Sequence, residues 1–296
     1  MREEGRRVRA LFPSPFLFPM LFRCGNYQLD FSRPLIMGIV NVTPDSFSDG
    51  GQFASVQQAI AHALQLVEEG ADILDIGGES TRPNAKPVAL EEELLRVIPV
   101  IEGLAGRVGV PLSVDTYKPE VMRAAIAAGA DIVNDVRALQ EPGAVEAVAT
   151  SSAGVCLMHM LGTPQTMQVD PQYDDVVAQV CDFLKARAEA AIAAGIARER
   201  IVLDPGFGFG KRSQHNIALL RELPTLCKLG YPVLAGLSRK SVLGQITGSS
   251  VEERLPASIA AAVVAAMKGA KILRVHDVKA TKDALAVVTA VVNEPR

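Results

Sequence analysis

The feature that most constrains this chain is a repeated order of segments. A short apolar run, a polar residue and a helical pattern follow one another eight times between residues 35 and 292. Runs such as LIMGIV at 35–40 are apolar on both faces, which is typical of parallel strands covered by helices. Gly-Ala pairs end helical patterns at residues 70, 129 and 269. The alternation predicts an α/β fold, a single (β/α)8 TIM barrel.

The length of 296 residues is compatible with one barrel domain. The segment FRCGNYQLDFSR at 22–33 predicts a short hairpin that turns at Gly25-Asn26 and covers the floor of the barrel. Residues 1–21 are expected to form a disordered or extended segment rather than a targeting signal, because prolines interrupt their apolar run. We therefore expect a single barrel domain at residues 22–296, with no second domain.

The net charge and the cysteine spacing indicate which binding partners and which cellular compartment to expect. A net charge of −3 offers no general attraction to nucleic acid. No segment after the N-terminal run is long enough to span a bilayer, so neither nucleic acid nor a membrane is an expected partner. The 4 cysteines are widely spaced and form no CxxC pair, which favours free thiols in a reducing cytoplasm.

Polar residues at the predicted strand ends are the candidates for chemistry, because these ends converge on one mouth in a (β/α)8 barrel. A carboxylate accepts two parallel N–H bonds, and an amide both donates and accepts, so such groups suit the edge of a flat heterocycle. Phe207 and Phe209, if turned inward, would lie over such a ring, and the glycines beside them would let the backbone approach it. The four residues of this set are Asp115, Asn134, Asp204 and Lys240.

A second set of strand-end residues is cationic or neutral and contains no carboxylate, so it predicts an anion site. Arg274 and His276 are two residues apart on a strand and therefore share a face. If the anion is a pyrophosphate, a bridging Mg²⁺ ion is expected, with Asn41 as an oxygen ligand. The set comprises Asn41, Thr81, Arg82, Arg274 and His276.

Structural interpretations compete with these functional ones. A lone Asp at a strand end is often a helix cap, but the coincidence of several polar strand ends favours a binding role. The histidines outside the pattern are interpreted structurally. His159 is expected to be a core or rim residue, and His62 and His215 are expected to lie on the surface.

Eight segments contain the polar strand ends and the loops that follow them. The segments are MGIVNVTPDSFSDGG at 37–51, DIGGESTRP at 75–83, SVDTYKP at 113–119, IVNDVRAL at 132–139, LMHM at 157–160, LDPGFGFGK at 203–211, GLSRKS at 236–241 and RVHDV at 274–278. Together they resemble dihydropteroate synthases, the folate-pathway enzymes that sulfonamides target. The first and sixth segments are long and specific, and all eight occur in family order. The residue Asn84 stands where glycine is usual.

The resemblance implies a reaction and a set of roles. The reaction is condensation of 6-hydroxymethyl-7,8-dihydropterin pyrophosphate with 4-aminobenzoate, with Mg²⁺ required, to give 7,8-dihydropteroate and pyrophosphate. A homodimer, commonly formed through the last helices, is also implied. The implied pterin pocket comprises Asp115, Asn134, Met158, Asp204, Gly236 and Lys240. The pyrophosphate and Mg²⁺ site comprises Asn41, Arg274 and His276, and the 4-aminobenzoate side comprises Thr81, Arg82, Pro83, Phe209, Lys240 and Ser241.

Four of these residues are the expected catalytic groups, namely Asp115, Lys240, Arg274 and His276. Residues 45–47 belong to the first loop, which is expected to move with the loop at 80–87.

Three other functions are compatible with parts of the pattern. The pterin-binding barrel of corrinoid methyltransferases shares the acidic pocket but does not need the RxH and SRKS segments. A non-catalytic pterin-binding module could dispense with Lys240 and Arg274, and an aldolase-like barrel would carry Gly-rich anion loops after strands seven and eight.

Overall fold

The computed structural model describes residues 20–42, 51–80, 85–163, 166–167 and 169–293, with the backbone alone at 51–54 and 292–293. The strands are β1 (Leu21–Cys24), β2 (Tyr27–Asp30), β3 (Leu35–Asn41), β4 (Ile73–Gly77), β5 (Leu112–Asp115), β6 (Ile132–Asp135), β7 (Gly154–Met158), β8 (Ile201–Asp204), β9 (Leu234–Ala235) and β10 (Ile272–Val275). The helices are α1 (Gly51–Glu69), α2 (Leu90–Leu104), α3 (Pro119–Ala128), α4 (Ala144–Ala149), α5 (Val176–Ala193), α6 (Ser213–Arg221), α7 (Leu223–Cys227), α8 (Ser241–Thr247), α9 (Leu255–Met267) and α10 (Val278–Asn293).

Strands β3 to β10 form one parallel sheet that closes on itself. Their spatial order is β8-β7-β6-β5-β4-β3-β10-β9, so the first strand of the series pairs with the last. At the remaining seam a parallel bridge joins Leu203 to Val233, and the Leu203 amide donates to the Pro232 carbonyl at 2.9 Å. The predicted (β/α)8 barrel is confirmed.

Side chains along each strand alternate between the outside and the inside of the barrel. On β4, Leu74 and Ile76 pack outward into a large apolar cluster that includes Val97 and Ile101 of α2. Ile73 belongs instead to a smaller cluster built from the interior positions of the strands. This smaller cluster fills the N-terminal half of the barrel interior, and the C-terminal half is left for polar side chains.

The predicted hairpin is confirmed and covers the N-terminal end of the barrel. Strands β1 and β2 pair antiparallel around a turn at Gly25-Asn26. Phe22 and Cys24 are almost fully buried and pack into the smaller apolar cluster. Gly154 makes room for them, because a Cβ there would lie 2.5 Å from the Phe22 ring.

Two helices extend beyond their predicted starts. The spacing of apolar residues predicts a last helix from residue 283, yet α10 begins at Val278, directly after the strand. The Thr281 amide and hydroxyl both bond the Asp277 carbonyl, which closes the first turn. The first helix, predicted to be capped by Ser55, begins at Gly51. Helix α8 is too short for periodicity to reveal it and was not predicted.

The remaining expectations concern the termini and the cysteines. Nearly all of the segment predicted at 1–21 lies outside the described residues. Among the described helices, none combines the length and the apolar character that a membrane crossing requires. All four cysteines are free thiols, as predicted.

Candidate active site

A layer of polar side chains lies inside the barrel directly above the smaller apolar cluster. Each polar residue stands two positions after an apolar residue of that cluster on the same strand, so both face the interior. Register places neighbours at one height, since Asp115 pairs with Asn134 and Met158 pairs with Asp204. The apolar and polar pairs are Ile73 and Asp75, Ile132 and Asn134, Val202 and Asp204, and Ile272 and Arg274.

Asp75 is the centre of this layer, and the sequence prediction missed it. Its side chain is 0% exposed. Oδ1 accepts a hydrogen bond from the Ser113 hydroxyl at 2.6 Å. Oδ2 accepts one from Asn134 Nδ2 at 3.0 Å and one from Arg274 Nε at 2.6 Å. A buried carboxyl group that accepts three hydrogen bonds orients the groups around it.

Arg274 lies between two carboxylates. Its Nη2 donates to Asp115 Oδ2 at 2.7 Å, while its Nε donates to Asp75. Although burial works against it, the charges of Asp75 and Asp115 raise the pKa of Arg274 above its ordinary value. The expected separation of the acidic set from the carboxylate-free set does not hold at Arg274, because its guanidinium bonds two carboxylates.

The carboxyl group of Asp115 ionises close to neutral pH. Burial raises its pKa to about 7, although the charge of Arg274 lowers it, and Asp75 and Glu93 raise it further. A ligand that donates N–H groups to this carboxyl would favour its charged form. Binding of such a ligand would therefore shift Asp115 from its protonated form to its charged form.

Asp204 and Lys240 influence each other across the same layer. Burial raises the pKa of Asp204, and the charge of Lys240 opposes that shift. Burial also lowers the pKa of Lys240 to about 8, opposed by Asp204. Lys240 Nζ donates to the Phe207 carbonyl and lies 4.7 Å from the centre of the Phe209 ring. The ammonium group of Lys240 therefore lies near the carboxylate of Asp204 and the ring of Phe209.

The two phenylalanines of the loop at 205–211 have different environments. Phe207 is 0% exposed within the outer apolar cluster, so the expectation that it could lie over a ligand is wrong. Phe207 contacts Lys240 through its carbonyl, whereas Phe209 contacts it through its ring. The close backbone approach expected of the glycines is to the chain itself, because a Cβ on Gly206 would lie 1.9 Å from the His159 carbonyl oxygen.

Other predicted pterin-pocket residues lie beside the polar layer. Met158 ends β7 and is buried next to Asp204. Gly236 follows β9, and a Cβ there would stand 3.8 Å from both Lys240 Nζ and Arg274 Cβ. Ser241 opens α8 directly after Lys240.

The predicted anion site is described only in part. Asn41 ends β3 and pairs in register with Gly77 of the neighbouring strand. His276 follows β10, and its Nδ1 lies 3.0 Å from the Ser238 hydroxyl. Thr81, Arg82, Pro83 and residues 45–47 lie outside the described residues.

The histidine expectations met mixed outcomes. His159 is buried as predicted, with Nδ1 2.9 Å from Lys211 Nζ. The surface expectation for His215 is wrong, because its side chain is 8% exposed. Its Nδ1 accepts from the Arg212 amide at 3.2 Å as part of a helix cap, and its ring meets Tyr173 edge-on at 5.0 Å. A capping role draws this polar ring inward.

Comparison with known proteins decides the family. A family model described as pterin binding enzyme matches residues 37–276. The dihydropteroate synthase of Neisseria meningitidis serogroup B is 55% identical over 274 residues, covering 90% of this chain and 96% of that protein. The chain belongs to the dihydropteroate synthase family.

Solved dihydropteroate synthases have the same fold. The Xanthomonas albilineans enzyme with 4-aminobenzoic acid is 57% identical with a TM-score of 0.89, covering 94% of this chain and 100% of that one. The same enzyme in complex with 7,8-dihydropteroate is 55% identical with a TM-score of 0.85, covering 93% and 100%. The function of this chain is accordingly that of a dihydropteroate synthase, a transferase of folate biosynthesis.

The donor set of the mouth fits a magnesium ion that arrives with a phosphate ligand. Within the described ranges, no group of three or more His, Cys, Asp or Glu side chains could hold a metal ion on its own. Asn41 offers one amide oxygen at the C-terminal end of β3. Mg²⁺ keeps several waters and commonly takes one or two protein oxygens together with substrate phosphates. A single amide oxygen is therefore compatible with Mg²⁺ where water and substrate phosphate supply the other oxygens.

Proposed function

We propose that this dihydropteroate synthase binds the pterin ring in the polar layer of the barrel mouth and condenses its pyrophosphate ester with 4-aminobenzoate there. The observation that carries the proposal is the network in which Arg274 joins Asp75 and Asp115 while Asn134 bonds Asp75. Acceptors for a ring and a cation for its leaving group are thereby gathered in one layer inside the barrel.

The ring is proposed to be recognised along its N–H edge. Asp115 and Asp204 are the carboxylates at the tips of β5 and β8, and each can accept N–H groups of the pterin. Asn134 is held by Asp75 and presents its amide beside them. Met158 and Gly236 supply the apolar wall and the space for a flat ring.

The leaving group is proposed to be neutralised by Arg274 and His276. Nε and Nη2 of Arg274 bond the two carboxylates, and no described residue bonds its Nη1, which can donate to a pyrophosphate oxygen. Asn41 would hold Mg²⁺, which supplies charge neutralisation of the pyrophosphate when bound. Departure of pyrophosphate leaves a cation at the pterin methylene, and the charges of Asp115 and Asp204 stabilise it.

The arylamine is proposed to attack beside Phe209 and Lys240. It is a weakly basic amine that reacts with the pterinylmethyl cation, so the site needs no strong general base. Ser241 lies next to Lys240 and continues this side of the mouth. Thr81, Arg82 and Pro83 complete the proposed 4-aminobenzoate side by analogy with the family motif.

A pyrophosphate-release assay tests the function and the metal together. With the pterin pyrophosphate ester and Mg²⁺, we expect pyrophosphate and 7,8-dihydropteroate to form in equal amounts only when 4-aminobenzoate is present. Excess EDTA should abolish turnover, and added Mg²⁺ should restore it. Binding of the pterin without any product would instead identify a pterin-binding module, and full activity in EDTA would exclude the magnesium requirement.

A bell-shaped pH profile is expected for kcat/KM of the pterin substrate. Activity should rise as pH increases through about 7, because Asp115 becomes the charged acceptor. It should fall above about 8, because Lys240 loses its charge. In Lys240→Arg, whose guanidinium stays charged, the upper limb should move to higher pH while the lower limb stays. An unmoved upper limb would remove Lys240 from the profile.

We also propose a homodimer in the cytoplasm. Helices α9 and α10 pack against each other and expose apolar side chains, including Met267 at 52% and Val287 at 64%. Such a surface on the last helices supports pairing of two copies. Light scattering that returns twice the 31.5 kDa chain mass would support the dimer. The four free thiols support a reducing compartment.

A further inference from the structure

A buried lysine stands at the centre of the loop formed by residues 205–211. Lys211 is 3% exposed. Its Nζ lies 2.9 Å from the carbonyl oxygens of Gly206 and Phe209, 2.9 Å from His159 Nδ1 and 3.2 Å from the His159 carbonyl oxygen. An ammonium group has three N–H donors and no acceptor, so four surrounding acceptors suit its charged form. Burial lowers the pKa of Lys211 well below its ordinary value, and the charge of Asp204 opposes that shift.

The shape of the loop depends on this lysine. Gly206, Gly208 and Gly210 all have left-handed backbones, with φ of +66°, +83° and +61°. These turns leave the Gly206 and Phe209 carbonyls outside regular secondary structure, and Lys211 satisfies both. The bonds to His159 fasten the loop to the end of β7. One side chain thus bonds two carbonyls within the loop and anchors the loop to His159, the residue that follows β7.

The same loop carries two contacts of the proposed active site. The Phe207 carbonyl accepts from Lys240, and the Phe209 ring lies 4.7 Å from Lys240 Nζ. Lys211 itself is enclosed by backbone and His159 and does not reach the polar layer through any described hydrogen bond. Its shortest route to the proposed 4-aminobenzoate side runs through the Phe209 carbonyl and ring, while its charge also acts on Asp204.

We propose that Lys211 is a positioning residue that sets the Phe209 ring for 4-aminobenzoate. The inference rests on the proposed placement of 4-aminobenzoate beside Phe209. Loss of the ammonium would remove the lysine bond of the Phe209 carbonyl, leave the Gly206 carbonyl with the Phe209 amide alone, and let the ring shift relative to Lys240. Misplacement of a positioning group by about 1 Å costs on the order of 10²-fold in rate.

The test is Lys211→Met, which keeps the length and apolar stem and removes the donors. We expect KM for 4-aminobenzoate to rise by on the order of 10- to 100-fold. The dissociation constant of the pterin pyrophosphate, measured by calorimetry, should change by less than about threefold. Lys271→Met is the matched control, because Lys271 is also buried, at 9% exposure, but precedes β10 at the opposite end of the barrel. It should leave both constants unchanged.

A double-mutant cycle separates positioning from general destabilisation. In a Phe209→Ala background, Lys211→Met should add no further increase in KM for 4-aminobenzoate, because the ring through which it acts is gone. Additive effects, or equal changes for both substrates, would overturn the proposal. If Lys211→Met does not fold, His159→Leu removes one acceptor and should give a smaller change of the same selectivity, and equal changes would again overturn it. An inactive wild-type protein would instead refute the proposed function.

Discussion

Asp115→Asn is expected to lower kcat/KM for the pterin pyrophosphate by on the order of 10²–10³-fold, the loss typical of removing one charge-stabilising group. Asparagine keeps the shape but replaces one acceptor with a donor that would face the N–H edge of the ring. It also removes the negative charge that stabilises the pterinylmethyl cation. Steady-state kinetics with both substrates measure the loss.

The fold should survive this substitution. The pKa of Asp115 in the folded protein, about 7, lies above the ordinary value of 3.8, so this carboxyl costs stability progressively as the pH rises from 3.8 to about 7, and the full cost is present above that. The melting temperature of Asp115→Asn at pH 8 should therefore be no lower than that of the wild type. Asp131→Asn is the control, since Asp131 bonds the Leu112 amide at the start of the strands and should leave activity unchanged. Near-normal kcat/KM in Asp115→Asn would remove this residue from the mechanism.

Arg274→Ala is expected to impair both stability and catalysis. It leaves Asp75 buried at 0% exposure with one donor fewer and with Asp115 as an uncompensated neighbour. Breaking a buried pair in this way costs about 3–5 kcal/mol of folding free energy. Product inhibition by pyrophosphate should weaken as well, because the proposed cation for the leaving group is gone. Denaturant unfolding and inhibition kinetics measure the two effects.

A second substitution separates the two roles of Arg274. Arg274→Ala combined with Asp75→Asn should recover much of the stability, since the unpaired buried charge is removed, but it should not recover activity. Arg33→Ala is the matched control, because Arg33 pairs with Asp72 just before β4 and its side chain is 56% exposed. That pair should contribute at most about 1 kcal/mol. Recovery of turnover in the double variant would contradict the leaving-group role.

Strand ends led to much of the candidate site for a physical reason. In a closed parallel sheet, a polar residue at the C-terminal end of an apolar run must face the mouth or a helix. Asp115, Asn134 and Asp204 satisfy this rule, and the register brings Asp115 opposite Asn134. The same alternation of runs and helices predicted the barrel, because parallel strands can be joined only through crossover elements.

Asp75 was not among the predicted site residues because it lies inside a strand rather than at its end. Leu74 and Ile76 on either side face the outer cluster, so the run ILDIG resembles an interrupted apolar strand. The signal that identifies Asp75 is the alternation of side chains along a strand, because Ile73 and Asp75 occupy successive interior positions. Applying that period to every predicted strand would have revealed the whole polar layer.

Long-range pairing explains the other misses. Arg274 bonds Asp75 and Asp115, which precede it by 199 and 159 residues, and nothing local to any of the three specifies the contacts. The position of Lys211 likewise depends on His159, which follows β7 and is 52 residues away in the chain. The burial of Phe207 follows from the left-handed turns of its loop, which glycines permit but do not impose.

A crystal structure with the pterin pyrophosphate ester and Mg²⁺ bound is the most direct test of where this protein grips its substrate. We expect the ring nitrogens to lie at about 3 Å from Asp115, Asn134 and Asp204, with the diphosphate oxygens against Arg274. A ring bound elsewhere in the molecule, with those three side chains bonded only to their protein partners and to water, would contradict the account.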